Sequence, residues 1–377
     1  MHIFKSQLFG FFVCVFFVII LFSKLGDYMV KDLCFEIIEA CPNECKFCSS
    51  NSCIDKKQII SFNDFKRVID YFVSEGGIEE LSLSGGEPFL HAHLFKMVEY
   101  AKLYGIRTVI FTSGIKQSTP LNEETIKFYT DEMDTKLQGI EQYEPWNDRL
   151  KNNIKKYYDR LINPPDYSCI MKEELHQLKS IGLDKIVFNY QAYEHETDEY
   201  LMRRDRQKHN CLLDSLMNAS IVGIETDVHF IPMKLNYKEI PDILEMLEIA
   251  KVSNISILNF VPQGRGLRNA SELILNDNEL MEFMKLLDDS RSIYSGNIRI
   301  GTPLMEYCTH KCNAGLEKLD IKFDGTILPC PAFKELDVET MKKHGIKYYS
   351  IYENLEEVKI PGGKRLEPLC KRVYQRK

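Results

Sequence analysis

From Asp32 onward the chain alternates short apolar runs, rich in β-branched and aromatic residues, with longer stretches whose apolar positions recur every three or four residues. The first pattern predicts strands and the second amphipathic helices. Strands are expected over Leu33–Ile38, Glu80–Ser84, Thr108–Thr112, Lys185–Asn189, Thr226–Ile231 and Ser256–Val261. Helices are expected near Phe62–Ser74, His93–Tyr104, Lys172–Ile181, Asn210–Ile221, Ile240–Lys251 and Asp277–Ser290. Several of them hand over to a strand through glycine, which ends a helix at little cost. Six β/α units in series imply an α/β fold, a parallel sheet as an open sheet or an incomplete barrel. Ligands then bind at the C-terminal ends of the strands.

Three stretches break the alternation. Between the third strand and the next regular helix lies Lys116 to Cys169, far longer than an ordinary connection. It is charged, holds Trp146, Tyr129, Tyr143, Tyr157, Tyr158 and Tyr167, and closes on Pro164-Pro165, so a helical insertion is expected around residues 116–170. After about Arg299 the β/α pattern stops and four cysteines follow. At the other end, Leu8 to Phe22 is an apolar run of 15 residues between Lys5 and Lys24. A spanning helix takes roughly 17–25 residues, so residues 8–25 are marginal as a membrane anchor. Ser23-Lys24-Leu25 is a poor signal-peptide cleavage site, and Met29 offers an alternative start that makes residues 1–28 an extension. The expected organisation is a hydrophobic segment over 1–28, a core over 29–298 and a small domain over 299–377.

Composition adds two constraints. Lys plus Arg total 48 against 55 Asp plus Glu in 377 residues, a net charge of −7 that gives no support to a nucleic-acid partner. The 12 cysteines are too dilute for a disulfide-packed miniature, so their spacing must say what they do. Cys41, Cys45 and Cys48 form C-x3-C-x2-C directly after the first strand. Three thiolates on one loop cannot close a four-ligand zinc site. They can hold three irons of a [4Fe–4S] cube and leave the fourth open. Cys53 keeps a zinc reading alive. The second strand ends in Ser82–Pro88 (SLSGGEP), where Gly85 and Gly86 allow close backbone approach and Glu87 offers a carboxylate to an ammonium. The third ends in FTSG (Phe111 to Gly114), a polar terminus that suits sugar hydroxyls.

These motifs, with Phe47 just before the third cysteine, resemble the radical S-adenosylmethionine superfamily over roughly Asp32 to Val261. The resemblance implies a partial (β/α)6 TIM-like barrel, with Cys41, Cys45 and Cys48 as cluster ligands and S-adenosylmethionine chelating the open iron. It further implies that Gly85, Gly86 and Glu87 hold the amino group and that Ser113 lies near the ribose. Asn189 and Arg203 fall where the family contacts carboxylate or ribose, and Asn259–Gly266 (NFVPQGRG) resembles its turn near the adenine.

The C-terminal cysteines are Cys308, Cys312, Cys330 and Cys370, with a hairpin turn expected at Asp324-Gly325. On count alone they could bind zinc. The pattern is similar to the twitch form of the SPASM extension in the same superfamily, which implies one auxiliary [4Fe–4S] cluster in a small C-terminal domain containing a β-hairpin. Cys308 has His310 as a substitute. Oxygen-sensitive clusters and free thiols imply a cytoplasmic catalytic body, anchored or not through residues 8–25.

The resemblance implies an oxidoreductase or maturase that cleaves S-adenosylmethionine reductively to a 5′-deoxyadenosyl radical for hydrogen abstraction. Its electron donor is of flavodoxin or ferredoxin type. Oxidative modification or crosslinking of a peptide or protein is expected first, and a small-molecule dehydrogenase second. A non-catalytic iron–sulfur or zinc scaffold is the reading from another class. No general base stands out.

Overall fold

A computed structural model describes residues 30–118, 120–140, 147–301, 313–335, 337–343 and 345–358. The strands are β1 (Asp32–Ile38), β2 (Glu80–Gly85), β3 (Arg107–Thr112), β4 (Ile115–Gln117), β5 (Tyr167–Cys169), β6 (Lys185–Asn189), β7 (Glu225–Phe230), β8 (Asn254–Ile257), β9 (Asn297–Ile300), β10 (Lys318–Ile321), β11 (Thr326–Leu328) and β12 (Tyr349–Ser350). Ten of them make one sheet in the order β12-β11-β10-β1-β2-β3-β6-β7-β8-β9. Every pairing from β10 across to β9 is parallel, and β11 and β12 add on antiparallel.

The helices between strands bury one stripe each. In Phe62–Ser74, Ser61 caps the first turn by accepting from the Asp64 amide, and Phe65, Val68, Ile69 and Phe72 recur at helical spacing and are buried. They pack on Leu33, Phe35 and Ile37 of β1, with Phe35 and Phe65 rings 5.6 Å apart. Alternate residues of the other strands (Leu81, Leu83, Ile110, Ile186, Phe188, Val228, Phe230, Ile255 and Ile257) join the same core. Each such buried side chain contributes about 1.5–3 kcal/mol. The strand period of two then turns the intervening residues to the opposite face, where Val109, Phe111 and Val187 lie with Cys34 and the polar Glu36, Ser82, Asn189, Asp227, His229, Ser256 and Asp320.

Four boundaries differ from the sequence expectation. The sixth expected strand stops at Ile257, so Asn259–Gly266 is loop and short helix. The helix expected from Asn210 begins at Arg206, because the Asp205 side chain accepts from the Lys208 amide and caps it there. A seventh parallel strand, β9, continues past β8 across the expected boundary near residue 298. The C-terminal hairpin turns at Asp324-Gly325 as expected, yet β10 pairs in parallel with β1 and so extends the core sheet.

The insertion is helical. A separate two-stranded ribbon, β4 with β5, carries helices Glu123–Ile140 and Asn147–Ile162. The first of these has no buried residue. Among the described residues no helix is long and apolar enough to cross a membrane. The apolar segment of residues 1–28 lies outside them, as do Cys308, His310, Cys312, Cys370, Tyr143 and Trp146.

Candidate active site

β1 slips register against β2 between Glu36 and Ile38, and the chain then leaves the sheet as the loop that carries Cys41, Cys45 and Cys48. The loop has almost no regular structure of its own, so its shape comes from elsewhere. The Cys41 amide donates to the Cys53 carbonyl at 3.2 Å, which closes the loop on itself and gives Cys53 a backbone role. The Lys46 amide donates to Leu201 O at 2.8 Å, and Lys208 Nζ donates to Pro42 O at 2.9 Å. Arg265 clamps the far side, Nε to Cys45 O at 2.8 Å and Nη2 to Ser52 O at 2.6 Å.

The three thiols lie close enough to repel one another as thiolates. Burial pushes the Cys41 thiol well up, with Cys45 and Cys48 adding to the rise. Burial and Cys48 push Cys45 up to about 12, against the opposing pull of Arg204 and Arg265. Such a trio is stable as thiolates only when a cation sits among them. Among the described residues, no three His, Cys, Asp or Glu side chains converge as a single ion requires. A cube places its three protein ligands on three different irons, so three cysteines on one loop fit a cluster. Asn43, between Cys41 and Cys45, is 1% exposed and its amide has no hydrogen-bond partner on either atom among the described residues. An orphaned buried amide inside the loop is the second sign of an added polar group.

The Gly85-Gly86-Glu87 turn does something other than the sequence suggests. A Cβ on Gly85 would stand 2.3 Å from Ile38 O, and one on Gly86 would stand 2.1 Å from Ala40 O. The close backbone approach is to the start of the cysteine loop. It is secured by Gly86 N to Ile38 O at 2.7 Å and Glu87 N to Ala40 O at 2.8 Å. Glu87 is fully buried and turned toward the end of β3. Its Oε1 accepts from Thr112 Oγ1 (2.7 Å) and Phe89 N (3.1 Å), and its Oε2 from Ser113 N (2.6 Å) and Ser113 Oγ (2.5 Å). Burial pushes its pKa up and these four donors hold it back. Glu87 and Ser113 are thus in direct contact, and the turn joins β2, β3 and the cysteine loop.

Asn189 ends β6 and its Oδ1 accepts from Gln191 Nε2, which also donates to His229 O at 2.7 Å. Arg203 sets its guanidinium over the Tyr200 ring, 5.8 Å from the ring centre. It caps the helix His195–Met202 with φ 54° and is exposed. That left-handed turn sends the next residue inward. Arg204 is fully buried, with Nε and Nη2 donating to the two oxygens of Asp198, and its Nη1 has no partner among the described residues. The sequence reading missed Arg204, Asn43 and His229. The adjacent Arg203-Arg204 pair was the available signal, but only the backbone turn says which of the two is buried. Of the C-terminal cysteines only Cys330 is described. It is buried, and its Sγ accepts from Ala332 N at 3.3 Å.

A family model of the radical SAM superfamily matches residues 35–161, the span that holds the cysteine loop, Glu87 and Ser113. The match identifies a radical SAM domain in this part of the chain. The PqqA peptide cyclase of Bradyrhizobium diazoefficiens is 21% identical over 331 residues, 85% of this chain and 72% of the cyclase. SuiB of Streptococcus suis bound to S-adenosylmethionine superposes with a TM-score of 0.55 at 14% identity, covering 87% of this chain and 65% of SuiB. With its precursor peptide SuiA bound, SuiB gives 0.57 at 14% identity over 91% and 67%. Native anSMEcpe with bound AdoMet gives 0.55 at 12% identity over 91% and 82%. The chain therefore shares their α/β fold and spans about two-thirds of SuiB. A [4Fe–4S] cluster and S-adenosylmethionine are its family's cofactors.

Proposed function

We propose that this radical SAM enzyme oxidises or crosslinks a peptide. The observation that carries the reading is the alignment of 85% of the chain, over 331 residues at 21% identity, with a peptide cyclase. The SuiA-bound SuiB structure supports it by showing the same fold with a peptide bound. Cys41, Cys45 and Cys48 would hold the cluster and leave one iron to S-adenosylmethionine. When bound, the pair supplies reductive cleavage of a sulfonium bond and abstraction of a hydrogen atom from carbon.

The chain's own residues position and insulate that chemistry. Glu87 fixes the end of β3 through Ser113 and Thr112, so that Gly85, Gly86 and Ser113 form one rigid wall at the mouth of the sheet, facing the cofactor's amino group and ribose. Asn189, locked by Gln191, forms the next part of the wall. Arg204 offers a buried, unpaired N–H to an anionic group, the role the sequence assigned to Arg203. The polar sheet face below, with Ser82, Asp227 and His229, is the expected seat of the substrate. Cys330, with Cys308, Cys312 and Cys370, is proposed to hold an auxiliary [4Fe–4S] cluster that takes the second electron of a net two-electron oxidation.

Anaerobic reconstitution with iron and sulfide, followed by dithionite and S-adenosylmethionine, should release 5′-deoxyadenosine. Absence of that product would sink the enzyme reading in favour of a scaffold. Iron near eight per chain is expected, and about four removes the auxiliary cluster. Peptide mixtures incubated with the loaded enzyme should yield species lighter by two hydrogens. If only small molecules change, the dehydrogenase reading replaces this one.

A further inference from the structure

The Asn259–Gly266 turn, expected near the adenine, is bonded on both sides to cysteine-bearing regions. On one side it grips the three-cysteine loop. Gly264 has φ 57°, and a Cβ there would meet Cys48 O at 2.5 Å and Ser49 O at 2.7 Å. Only glycine allows that approach, and it lets the Arg265 amide donate to Cys48 O at 2.9 Å beside the side-chain clamp on Cys45 and Ser52. Asn269 Nδ2 donates to Lys46 O at 2.8 Å, and Arg268 Nη2 to Asn51 Oδ1 at 2.9 Å.

On the other side the same turn holds the segment after Cys330. Gln263 Nε2 donates to Pro331 O at 3.2 Å and its Oε1 accepts from Glu335 N at 3.3 Å. The Gly264 amide donates to Glu335 Oε1. A second, separate tie runs through Lys334. Its Nζ donates to Ser50 Oγ, on the cysteine loop, at 3.0 Å and to Glu36 Oε1 on β1. Glu36 is fully buried and also accepts from Ser50 Oγ at 3.0 Å. Residues more than 280 positions apart in sequence are thus joined twice at one spot.

We propose that Gln263, Gly264, Arg265 and Lys334 are positioning residues that hold the three-cysteine loop and the Cys330 region as one unit, so that a change at either site is transmitted to the other. The proposal rests on the reading that the loop carries a cluster. It follows from where these bonds go. They end on the cysteine loop, on Glu36 of β1 and on the segment adjoining Cys330, and none is needed to pair the strands. A fixed separation between the two sites is what electron passage between them requires.

The test uses Gln263→Ala, whose side-chain bonds reach only the C-terminal segment, and reads the distant three-cysteine site. The full chain is reconstituted anaerobically, and the first cluster is followed by the rate of iron loss to a chelator and by its electron paramagnetic resonance spectrum. Gln263→Ala and Lys334→Met should each speed the loss several-fold and alter the spectrum, and the double variant should lose iron more slowly than the product of the two single fold-changes. Lys334→Arg should restore most of the protection. Circular dichroism and urea midpoints show that each variant is folded. Folded variants whose loss rate and spectrum match the parent's within about twofold would overturn the proposal. A parent that takes up no cluster and forms no 5′-deoxyadenosine overturns the function reading instead, so the two failures are distinguishable.

Discussion

Two carboxylates buried in the same sheet make opposite use of burial. Glu87, at the β2–β3 end, and Asp320, in the β1–β10 region, are both fully inaccessible. Glu87 receives four donors from Thr112, Ser113 and Phe89. Neither oxygen of Asp320 accepts from an N–H or O–H among the described residues; the weakly donating Cys34 thiol, Glu36 and Lys334 are its neighbours. Burial lifts both acids, Asp320 to about 7, with Lys334 pulling down and Glu36 pushing up. The difference separates two kinds of buried charge. A saturated one builds the wall of a site, and an unsaturated one is held there at a cost and will exchange a proton near neutrality.

The strongest break comes from removing a partner of a saturated charge. Arg204→Ala leaves Asp198 buried with the His209 ring beside it (Nδ1 to Oδ2, 2.9 Å), and should cost about 3–5 kcal/mol in urea unfolding. Glu87→Ala strands the Ser113 amide and two hydroxyls, and about 3 kcal/mol is expected. It should also uncouple the cysteine loop from β3, cutting 5′-deoxyadenosine formation more than tenfold while iron binding persists. A loss below about 1 kcal/mol would show that water accepts from the four donors in place of Glu87 and that Glu87 is no wall.

Asp320→Asn should move stability the other way. An acid whose folded value is raised binds its proton more tightly in the folded chain. Its contribution is therefore complete below the unfolded value near 4 and is lost as pH rises through about 7. The neutral Asn avoids that loss. At pH 8 the variant should be the more stable by on the order of 2 kcal/mol, and the gap should close toward pH 4. A gap independent of pH would mean that Asp320 finds a donor in solution.

These same charges show what the sequence could reveal. Strands, helices and the C-x3-C-x2-C and GGEP motifs lie in local pattern, and the model places them within a few residues of expectation. Glu87 was legible as important, but its role as a hub for Thr112 and Ser113 depends on β2 and β3 being neighbours. Arg203 was chosen over Arg204 because nothing local reveals the left-handed turn at residue 203. Arg203→Ala should accordingly change stability by no more than about 0.5 kcal/mol, against the large loss at its neighbour. Asp320, Lys334 and Glu36 were invisible because β10 reaches β1 across 286 positions, a pairing that no periodicity encodes.

The smallest effect tests whether the sheet's polar face behaves as one electrostatic unit. His229, at the end of β7, is pushed down to about 4 by burial, with Arg299, Lys185 and Lys318 adding to the fall and Asp227 opposing it. A histidine lowered in this way stays neutral in the folded chain. It contributes stability that is present above the unfolded value near 6.5 and is lost as pH falls toward 4. Asp320 acts oppositely over almost the same window, losing stability as pH rises. In the parent the two slopes cancel in part, so its melting temperature should change little between about pH 4.5 and 6.5. In Asp320→Asn the histidine slope is unmasked, and melting should fall on acidification through that window. His229→Phe should show the reverse, and the double variant should be flat. If single variants and parent share one profile, neither group titrates as its surroundings require, and the contrast between saturated and unsaturated burial fails at its second member.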